Sequence, residues 1–234
     1  MLRMILIALL SLSLAALAGA DKTEKLNLSA SGINKLEVDC GSGFLRIAGK
    51  VGLNEIRVTA EIEVDGVREG DLDDFIDRNV TLRLEKRGNR AFLESKIDNS
   101  FFSNRNGVIN LTVEVPQPMA LDINDGSGSI EIRDIEGDIV LDDGSGSLSI
   151  ERVRGRVEVE DGSGSIEIDQ VEGDLEVDDG SGSLTIRRIT GSVEVTDGSG
   201  SITIDTVSKD VYIRESGSGG LSIDNVNGKV RKRD

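Results

Sequence analysis

Residues 125–132 read Asp-Gly-Ser-Gly-Ser-Ile-Glu-Ile, and the first five of these residues recur four times at intervals of 18 residues. A fixed period of this length indicates that each repeat is one structural coil stacked on the next. The repeat therefore predicts the architecture of the chain, although it does not by itself point to an activity. The further copies start at Asp143, Asp161, Asp179 and Asp197, with a degenerate copy at Ser216.

Aliphatic residues occupy positions 6, 8, 11, 15 and 17 of each coil, counted from the aspartate. Polar residues mostly separate positions 6 from 8 and 15 from 17, which is typical of strands that bury one face. The many β-branched side chains also favour strands over helices. We predict an all-β, two-sheet parallel β-solenoid with 18-residue coils, preceded by an irregular β-rich N-terminal region. In the second coil the aliphatic residues are Leu148, Ile150, Val153, Val157 and Val159.

Two corners should join the two strands of each coil. Gly-Ser-Gly forms one, and position 13, which is glycine in five of six copies, is expected at the other because glycine adopts positive φ at the lowest cost. Coils about 4.8 Å apart would place equal positions in rows, and a slip of one residue would turn every aliphatic row outward. Parallel crossovers further predict a right-handed solenoid.

Residues 21–120 are less regular but keep the register of the coils. Cys40-Gly41-Ser42-Gly43 matches the corner, Leu36 and Val38 match positions 15 and 17, and Leu45 and Ile47 match positions 6 and 8. We interpret this part as degenerate coils interrupted by an insertion. Cys40 replaces the corner aspartate and is expected to be a small, buried or half-buried residue. A reactive thiol is the alternative, although no basic neighbour would lower its pKa.

The insertion contains alternating runs that predict strands at 55–64, 80–86, 91–97 and 108–115. Loops are expected at 71–77 and 99–107. The C-terminal residues carry lysine and arginine where the repeat fails, and charge of this kind protects the open edge of a sheet or, alternatively, forms a basic docking tail. The predicted parts are a signal peptide at 1–20, the irregular region at 21–120, the regular repeats at 121–228 and a basic cap at 229–234.

The first 20 residues have the pattern of a secretory signal. Arg3 precedes an apolar run over 4–17, and Ala18-Gly19-Ala20 precedes a polar segment. The run is short for a membrane span, so no transmembrane helix is expected after cleavage, although an uncleaved N-terminal anchor is the alternative. We expect an exported protein that resides in the periplasm or at the cell surface.

The composition excludes several classes of function. The chain has no histidine, no tryptophan and one cysteine, so histidine-based catalysis, histidine zinc sites and an internal disulfide are ruled out. The signal segment holds one basic residue and no acid, so the remaining chain carries a net charge of −17, one unit below the −16 of the full sequence. This acidity argues against nucleic acid and is compatible with metal ions, cationic peptides or basic proteins.

The chain resembles a bacterial domain family of unknown function called toastrack, whose members carry the label "putative adhesin". Val113-Glu114-Val115-Pro116, Leu121-Asp122-Ile123 and the tandem Gly-Ser-Gly-Ser coils carry the resemblance. Family members typically end the corner in aspartate, where this chain has serine. The resemblance implies a β-solenoid in an envelope or surface protein and brings no catalytic residues with it.

The corner aspartates are the first candidate site. At the coil spacing, neighbouring carboxylates would repel each other by roughly 1 kcal/mol in water. Calcium could compensate, since it takes carboxylate and carbonyl oxygens; no other cofactor is expected. Alternatively, each aspartate caps its own Gly-Ser-Gly turn by accepting backbone N–H groups, which is the interpretation we favour. The candidate calcium ladder is Asp125, Asp143, Asp161, Asp179 and Asp197.

The outer face of the second strands is the other candidate site. Acidic residues dominate it, with Arg156 as the main basic residue before Arg214, whereas the outer side of the first strands pairs its acids with arginines. Such a face either keeps the protein soluble or docks cations. The residues are Asp138, Asp142, Glu158, Glu160, Asp174, Glu176, Asp178 and Glu194.

Together these patterns predict an exported non-catalytic envelope protein, an adhesin-like scaffold or binding module that presents an acidic solenoid face. Its partner would be an unknown envelope protein or a cationic peptide. The alternative is a calcium-stabilised surface adhesin. An envelope glycan hydrolase is less favoured, because the coils are too uniform to set one carboxylate pair apart.

Overall fold

The structure is a computed structural model that describes residues 20–98 and 107–233. The predicted signal segment, apart from Ala20, and nearly all of the predicted loop at 99–107 therefore lie outside the described residues. Within them the chain forms a parallel β-solenoid with a β-rich, irregular N-terminal region, as predicted.

The N-terminal region contains most of the long strands and the helical segments. A short 3₁₀ turn, Glu69–Asp71, leads into the helix α1, Leu72–Asn79. The strands are β1 (Ala20–Ser29), β2 (Lys35–Ser42), β3 (Leu45–Lys50), β4 (Glu55–Val64), β5 (Val80–Arg87), β6 (Arg90–Ile97), β7 (Gly107–Pro116) and β8 (Ala120–Ile135).

The regular stack follows, and each coil contributes one strand to each of two sheets. The strand β8 turns the first corner and belongs to both sheets. The first sheet continues through β10 (Gly146–Val153), β12 (Gly164–Val171), β14 (Gly182–Ile189), β16 (Gly200–Val207) and β18 (Leu221–Val226). The second sheet continues through β9 (Ile139–Asp143), β11 (Val157–Asp161), β13 (Leu175–Asp179), β15 (Val193–Asp197), β17 (Val211–Ser216) and β19 (Val230–Lys232).

Strand pairing in the stack is parallel and in the predicted register. Ile168 lies between Ile150 and Ile186 in the first sheet, and Val159 lies between Leu141 and Val177 in the second. These rows are buried and form one core between the sheets. The last coil starts one residue late, and the chain absorbs the extra residue as an irregularity in the pairing of β15 with β17.

The degenerate N-terminal coils stack as the sequence predicts. Leu36 pairs with Leu121 in the second sheet, and Leu45 pairs with Ile130 in the first. The strands β6 and β7 extend the two sheets by one more parallel strand each, beside β2 and β3. Beyond them the pairing becomes antiparallel, with β5 as the edge of the second sheet and β4 followed by β1 as the edge of the first.

The predicted loop at 71–77 is wrong, because this segment begins α1. Leu72, Phe75 and Ile76 recur at helical spacing, and Leu72 and Phe75 are buried. Asp73 and Asp74 lie in the first turn, where negative charge stabilises a helix. The apolar spacing is a signal that sequence reasoning could have used.

The second corner also differs from the prediction. Position 13 glycines are not left-handed; instead position 10 is, with φ of 55° at Arg152, 58° at Gln170 and 56° at Arg188. Position 13 is glycine in five of six coils for a different reason, and Lys209 is the exception. A Cβ on Gly173 would lie 2.0 Å from the carbonyl oxygen of Gly155 in the preceding coil. Close backbone stacking, and not a positive φ, therefore excludes a side chain there.

The substitution Gly173→Ala should lower the free energy of unfolding by roughly 1–3 kcal/mol, the usual cost of overpacking. Gly70→Ala is the matched control, because a Cβ there meets nothing within 4 Å. Urea denaturation of the two variants and the unchanged protein measures the difference. Equal midpoints for Gly173→Ala and the control would contradict close stacking at this corner.

Candidate functional site

The five corner aspartates face the core, since each is buried to 95% or more, with Asp179 only 1% exposed. They form one row, because Asp125 pairs with Asp143, and the later copies follow in the same register. The row continues into the N-terminal coils through Cys40, beside Asp125, and Ser95, beside Cys40. We name this set, from Ser95 to Asp197, the corner row.

Sequence reasoning missed that the corner row is internal, although the signal was present. In β9 the residues Ile139, Leu141 and Asp143 alternate with exposed ones, and the aspartate is the third inward position of that strand. The period-two pattern therefore continues through the acid. Hydrophobicity alone does not reveal this, because an aspartate at the end of a strand is normally expected in solvent.

Hydrogen bonds within the turns support the capping interpretation. An Asp143 oxygen accepts the backbone N–H of Ser145 at 3.1 Å, and an Asp179 oxygen accepts that of Ser181 at 3.0 Å. Asp125 instead accepts the thiol of Cys40, with 3.0 Å between Sγ and Oδ1. At least one carboxylate oxygen of each corner aspartate has no hydrogen-bond partner among the described residues.

Burial and mutual repulsion raise the pKa values of these carboxyls. Burial is the main cause for Asp143, whose pKa rises to about 6, and the charges of Asp125 and Asp161 on either side add to the effect. The pKa of Asp179 also rises to about 6, through burial and then the charges of Asp161 and Asp197. Burial is also the first cause that raises the pKa values of Asp125, Asp161 and Asp197, so all five carboxyls hold a proton more tightly than they would in water.

Cys40 is buried and free, as expected for a small residue at the corner. Burial, followed by the negative charge of Asp125, raises the pKa of its thiol well above the usual range. The thiol is therefore protonated and donates its hydrogen to Asp125. A thiol in this state is a structural residue and a poor nucleophile.

The five aspartates of the corner row are also the predicted calcium ladder. Across residues 20–98 and 107–233, no group of three or more histidine, cysteine, aspartate or glutamate side chains is arranged to hold a metal ion. The aspartates lie in single file and face aliphatic rows on the inside of the stack. Calcium binding by this row stays a prediction that only solution measurement tests.

The predicted acidic face lies on the outside of the second sheet and its turns, and the structure corrects the view that it is uncompensated. Arg156 pairs with Glu176 at 2.6 Å and with Glu158 at 3.8 Å, and Arg214 pairs with Glu194. The remaining two turn acids accept backbone groups: Asp138 accepts the N–H of Arg156, and Asp174 accepts the N–H of Ser192. Asp174 also pairs with Lys209 at 3.8 Å.

Three acids of this face have no such partner. Asp142, Glu160 and Asp178 are exposed, lie directly beside one another on β9, β11 and β13, and make no ion pair or hydrogen bond among the described side chains. We name them the acidic stripe. Thr196 follows Asp178 in the same row and ends it. The stripe runs along the solenoid axis with about 4.8 Å between neighbours.

The outer side of the first sheet neutralises its charges, as the sequence indicates. Arg152 pairs with Asp134 at 2.7 Å, and Arg187 pairs with Glu167 at 2.8 Å. Arg154 bridges acids in the coils on either side of it. The stripe therefore stands out as unpaired charge on the second sheet, in contrast to the largely ion-paired outer side of the first sheet in the regular stack.

Residues 33–224 match the family model described as Toastrack DUF4097, which covers more than half of the chain. The protein therefore belongs to this family, and the resemblance found in the sequence is confirmed. Comparison with curated proteins finds no match.

Solved structures of low identity also align with the chain. A "putative adhesin" from Parabacteroides distasonis is 13% identical and aligns over 91% of this chain and 97% of its own, with a TM-score of 0.38. A "putative lipid binding protein" from the same species is 14% identical and aligns over 92% of this chain and 97% of its own, with a TM-score of 0.34. A "putative cell adhesion protein" from Clostridium sporogenes is 10% identical and aligns over 90% of this chain and 100% of its own, with a TM-score of 0.33. At these identities and TM-scores the three carry no further argument.

No helix in the described part of the chain is long and apolar enough to span a membrane.

The double substitution Asp143→Asn and Asp179→Asn should flatten the dependence of stability on pH. A carboxyl whose pKa rises from 3.8 to about 6 on folding holds its proton more tightly in the folded chain. Its contribution to stability is therefore full below the lower value and is lost as pH rises through the higher one. The variant should gain on the order of 2 kcal/mol per carboxyl at pH 7. Thermal unfolding from pH 3.5 to 7.5 measures this.

Glu160→Gln is the control for this experiment, because it removes an exposed charge from the neighbouring row and should leave the slope unchanged. A double variant with the slope of the unchanged protein would contradict protonation of the corner row. Repeating the measurement in EDTA and in millimolar calcium tests the ladder directly. A rise in melting temperature with calcium that disappears in the double variant would favour metal binding.

Proposed function

We propose that this protein is an exported, non-catalytic binding module of the cell envelope that presents the acidic stripe to a basic partner. The observation that carries the proposal is that Asp142, Glu160 and Asp178 are the members of the acidic face without a partner. Unpaired like charges held side by side cost free energy, and a cationic ligand would remove that cost.

The scaffold holds the stripe rigidly. Each stripe residue follows an inward aliphatic neighbour, namely Leu141, Val159 or Val177, and these neighbours are at most 2% exposed. The backbone on both sides is paired in a parallel ladder. The spacing of the carboxylates is therefore set by the sheet and needs no reorganisation when a ligand binds, which lowers the entropic cost of recognition.

The spacing also indicates the form of the partner. Carboxylates about 4.8 Å apart along the axis match basic side chains that lie one helical turn, about 5.4 Å, apart. Basic residues at every second position of an extended strand would lie roughly 6.6 Å apart, so successive basic groups would no longer lie opposite successive carboxylates. The stripe therefore suits a cationic amphipathic helix aligned with the solenoid axis, either as a free peptide or as part of an envelope protein.

The proposed location and the proposed lack of catalysis rest on the sequence and the family. The signal pattern in residues 1–20 supports export to the periplasm or cell surface. The equal spacing of the acids supports a binding role, because a glycan hydrolase needs one pair of carboxyls in different environments.

The triple variant Asp142→Asn, Glu160→Gln and Asp178→Asn tests the function. The probe is a fluorescein-labelled alanine-based helical peptide whose lysines are alternately three and four residues apart, so that they lie about one turn apart on one face. Anisotropy is measured at several salt concentrations. The dissociation constant should rise about tenfold or more in the variant, with a weaker dependence on salt.

The matched control is Glu61→Gln, Asp65→Asn and Glu69→Gln, which removes three exposed acids without ion pairs from the N-terminal region. It changes the net charge equally and should bind like the unchanged protein. Equal losses in both variants would mean that only total charge matters. No binding at low ionic strength would overturn the proposal.

A further inference from the structure

The two ends of the solenoid differ in how their edge strands are covered. At the N-terminal end the strands become antiparallel, and α1 packs near β1 and β5, where Lys22 of β1 pairs with Asp73. At the other end β18 and β19 pair with preceding strands only, and no described element covers their far side. We name β18, β19 and the adjoining residues Lys229 and Arg233 the C-terminal edge.

The C-terminal edge exposes side chains that every inner coil buries. Leu221 is 37% exposed and Val230 is 51% exposed, whereas Ile202 and Val211, their neighbours one coil earlier, are 1% and 0% exposed. The backbone donors and acceptors on the outer side of both strands are also unpaired in the described chain. An edge of this kind is a template for one further strand.

The charge of the C-terminal edge is opposite to that of β11 and β13, two earlier strands of the second sheet. Lys229, Arg231, Lys232 and Arg233 make no ion pair among the described residues, and Asp224 is the only acid between 216 and 233. In β11 and β13 the equivalent outward positions carry glutamate and aspartate. The edge thus combines an open strand, exposed aliphatic side chains and four cations without an ion pair in the described chain.

We propose that the C-terminal edge binds an extended acidic segment of another protein as an added β-strand. The added strand would cover Val230 with an aliphatic side chain and place acids beside Arg231 and Lys232. Its backbone would take up the unpaired groups of β19. This site is separate from the acidic stripe and takes a ligand of the opposite charge.

The inward position of Lys232 favours an acidic segment over a second copy of this chain as the partner. It occupies the inward position that is Ile213, Val195 and Val177 in earlier coils of the second sheet. A covering strand taken from a regular coil would bury Lys232 against an aliphatic side chain, which is costly for an unpaired charge. Two copies joined through β19 would bring their arginines and lysines together. A partner with an acid at this position avoids both costs.

The probe is a fluorescein-labelled peptide of sequence Gly-Val-Glu-Glu-Asp-Ile-Glu-Gly, added to the full chain at low and at physiological salt. The double variant Arg231→Glu and Lys232→Glu should weaken binding about tenfold or more, because the two acids of the probe that lie beside these positions then face a like charge. The matched variant Lys25→Glu and Arg68→Glu reverses two exposed cations without ion pairs elsewhere and should bind as the unchanged protein does.

A second probe keeps the test independent of how the variants fold. The same peptide with N-methyl groups on alternate residues retains its charge but cannot complete a strand ladder, so it should lose binding to the unchanged protein. Equal binding of both peptides would overturn strand addition, and so would equal losses in the two double variants. Absence of binding at low salt would overturn the proposal. Sedimentation that shows self-association abolished by Arg231→Glu and Lys232→Glu would assign the edge to a second copy instead.

Discussion

The parallel hydrogen-bonded ladder between coils is the constraint on which the rest of this structure depends. It aligns each residue with the residue 18 positions later, as in the pairing of Val157 with Leu175. A residue type that the repeat specifies at one position therefore lies beside the same or a similar type in the next coil, and the position forms a row. Aliphatic rows gain a continuous core from this rule, whereas a charged row accumulates repulsion that grows with each added coil. The corner row and the acidic stripe are two outcomes of this constraint, one inside the core and one in solvent.

The corner row resolves its repulsion through the environment of the interior. A buried carboxyl with another carboxyl on each side favours the protonated form, and the turn N–H groups stabilise what charge remains. In the N-terminal coils Cys40 and Ser95 replace the aspartate, so the row ends in groups that carry no charge. The same position thus holds aspartate, cysteine or serine, and only the aspartates add charge to the row as pH rises through their raised pKa values.

Much of the fold could be predicted from the sequence, because the ladder converts period-two patterns directly into rows. The same patterns predict that Leu36 and Leu45 lie in degenerate coils, and both pair in register with the regular stack. The left-handed residues were missed because Arg152, Gln170 and Thr206 share no residue type that marks such a turn. In the candidate site, the eight acids were found, but their partners were not. Asp138 and Asp174 bond to backbone groups one coil later, and only the stacked geometry shows this.

The acidic stripe and the basic C-terminal edge can coexist on one molecule because the solenoid keeps them apart. Asp178 on β13 and Arg231 on β19 are separated by three coil steps in the second sheet, or roughly 14 Å at about 4.8 Å per step. At physiological ionic strength the screening length is about 8 Å, so exposed charges at this distance interact weakly. Arg214, which lies between them, is already paired with Glu194. The backbone ladder between β13 and β19 fixes the distance between the two surfaces, so a scaffold of this kind would hold the two proposed partners at a fixed separation.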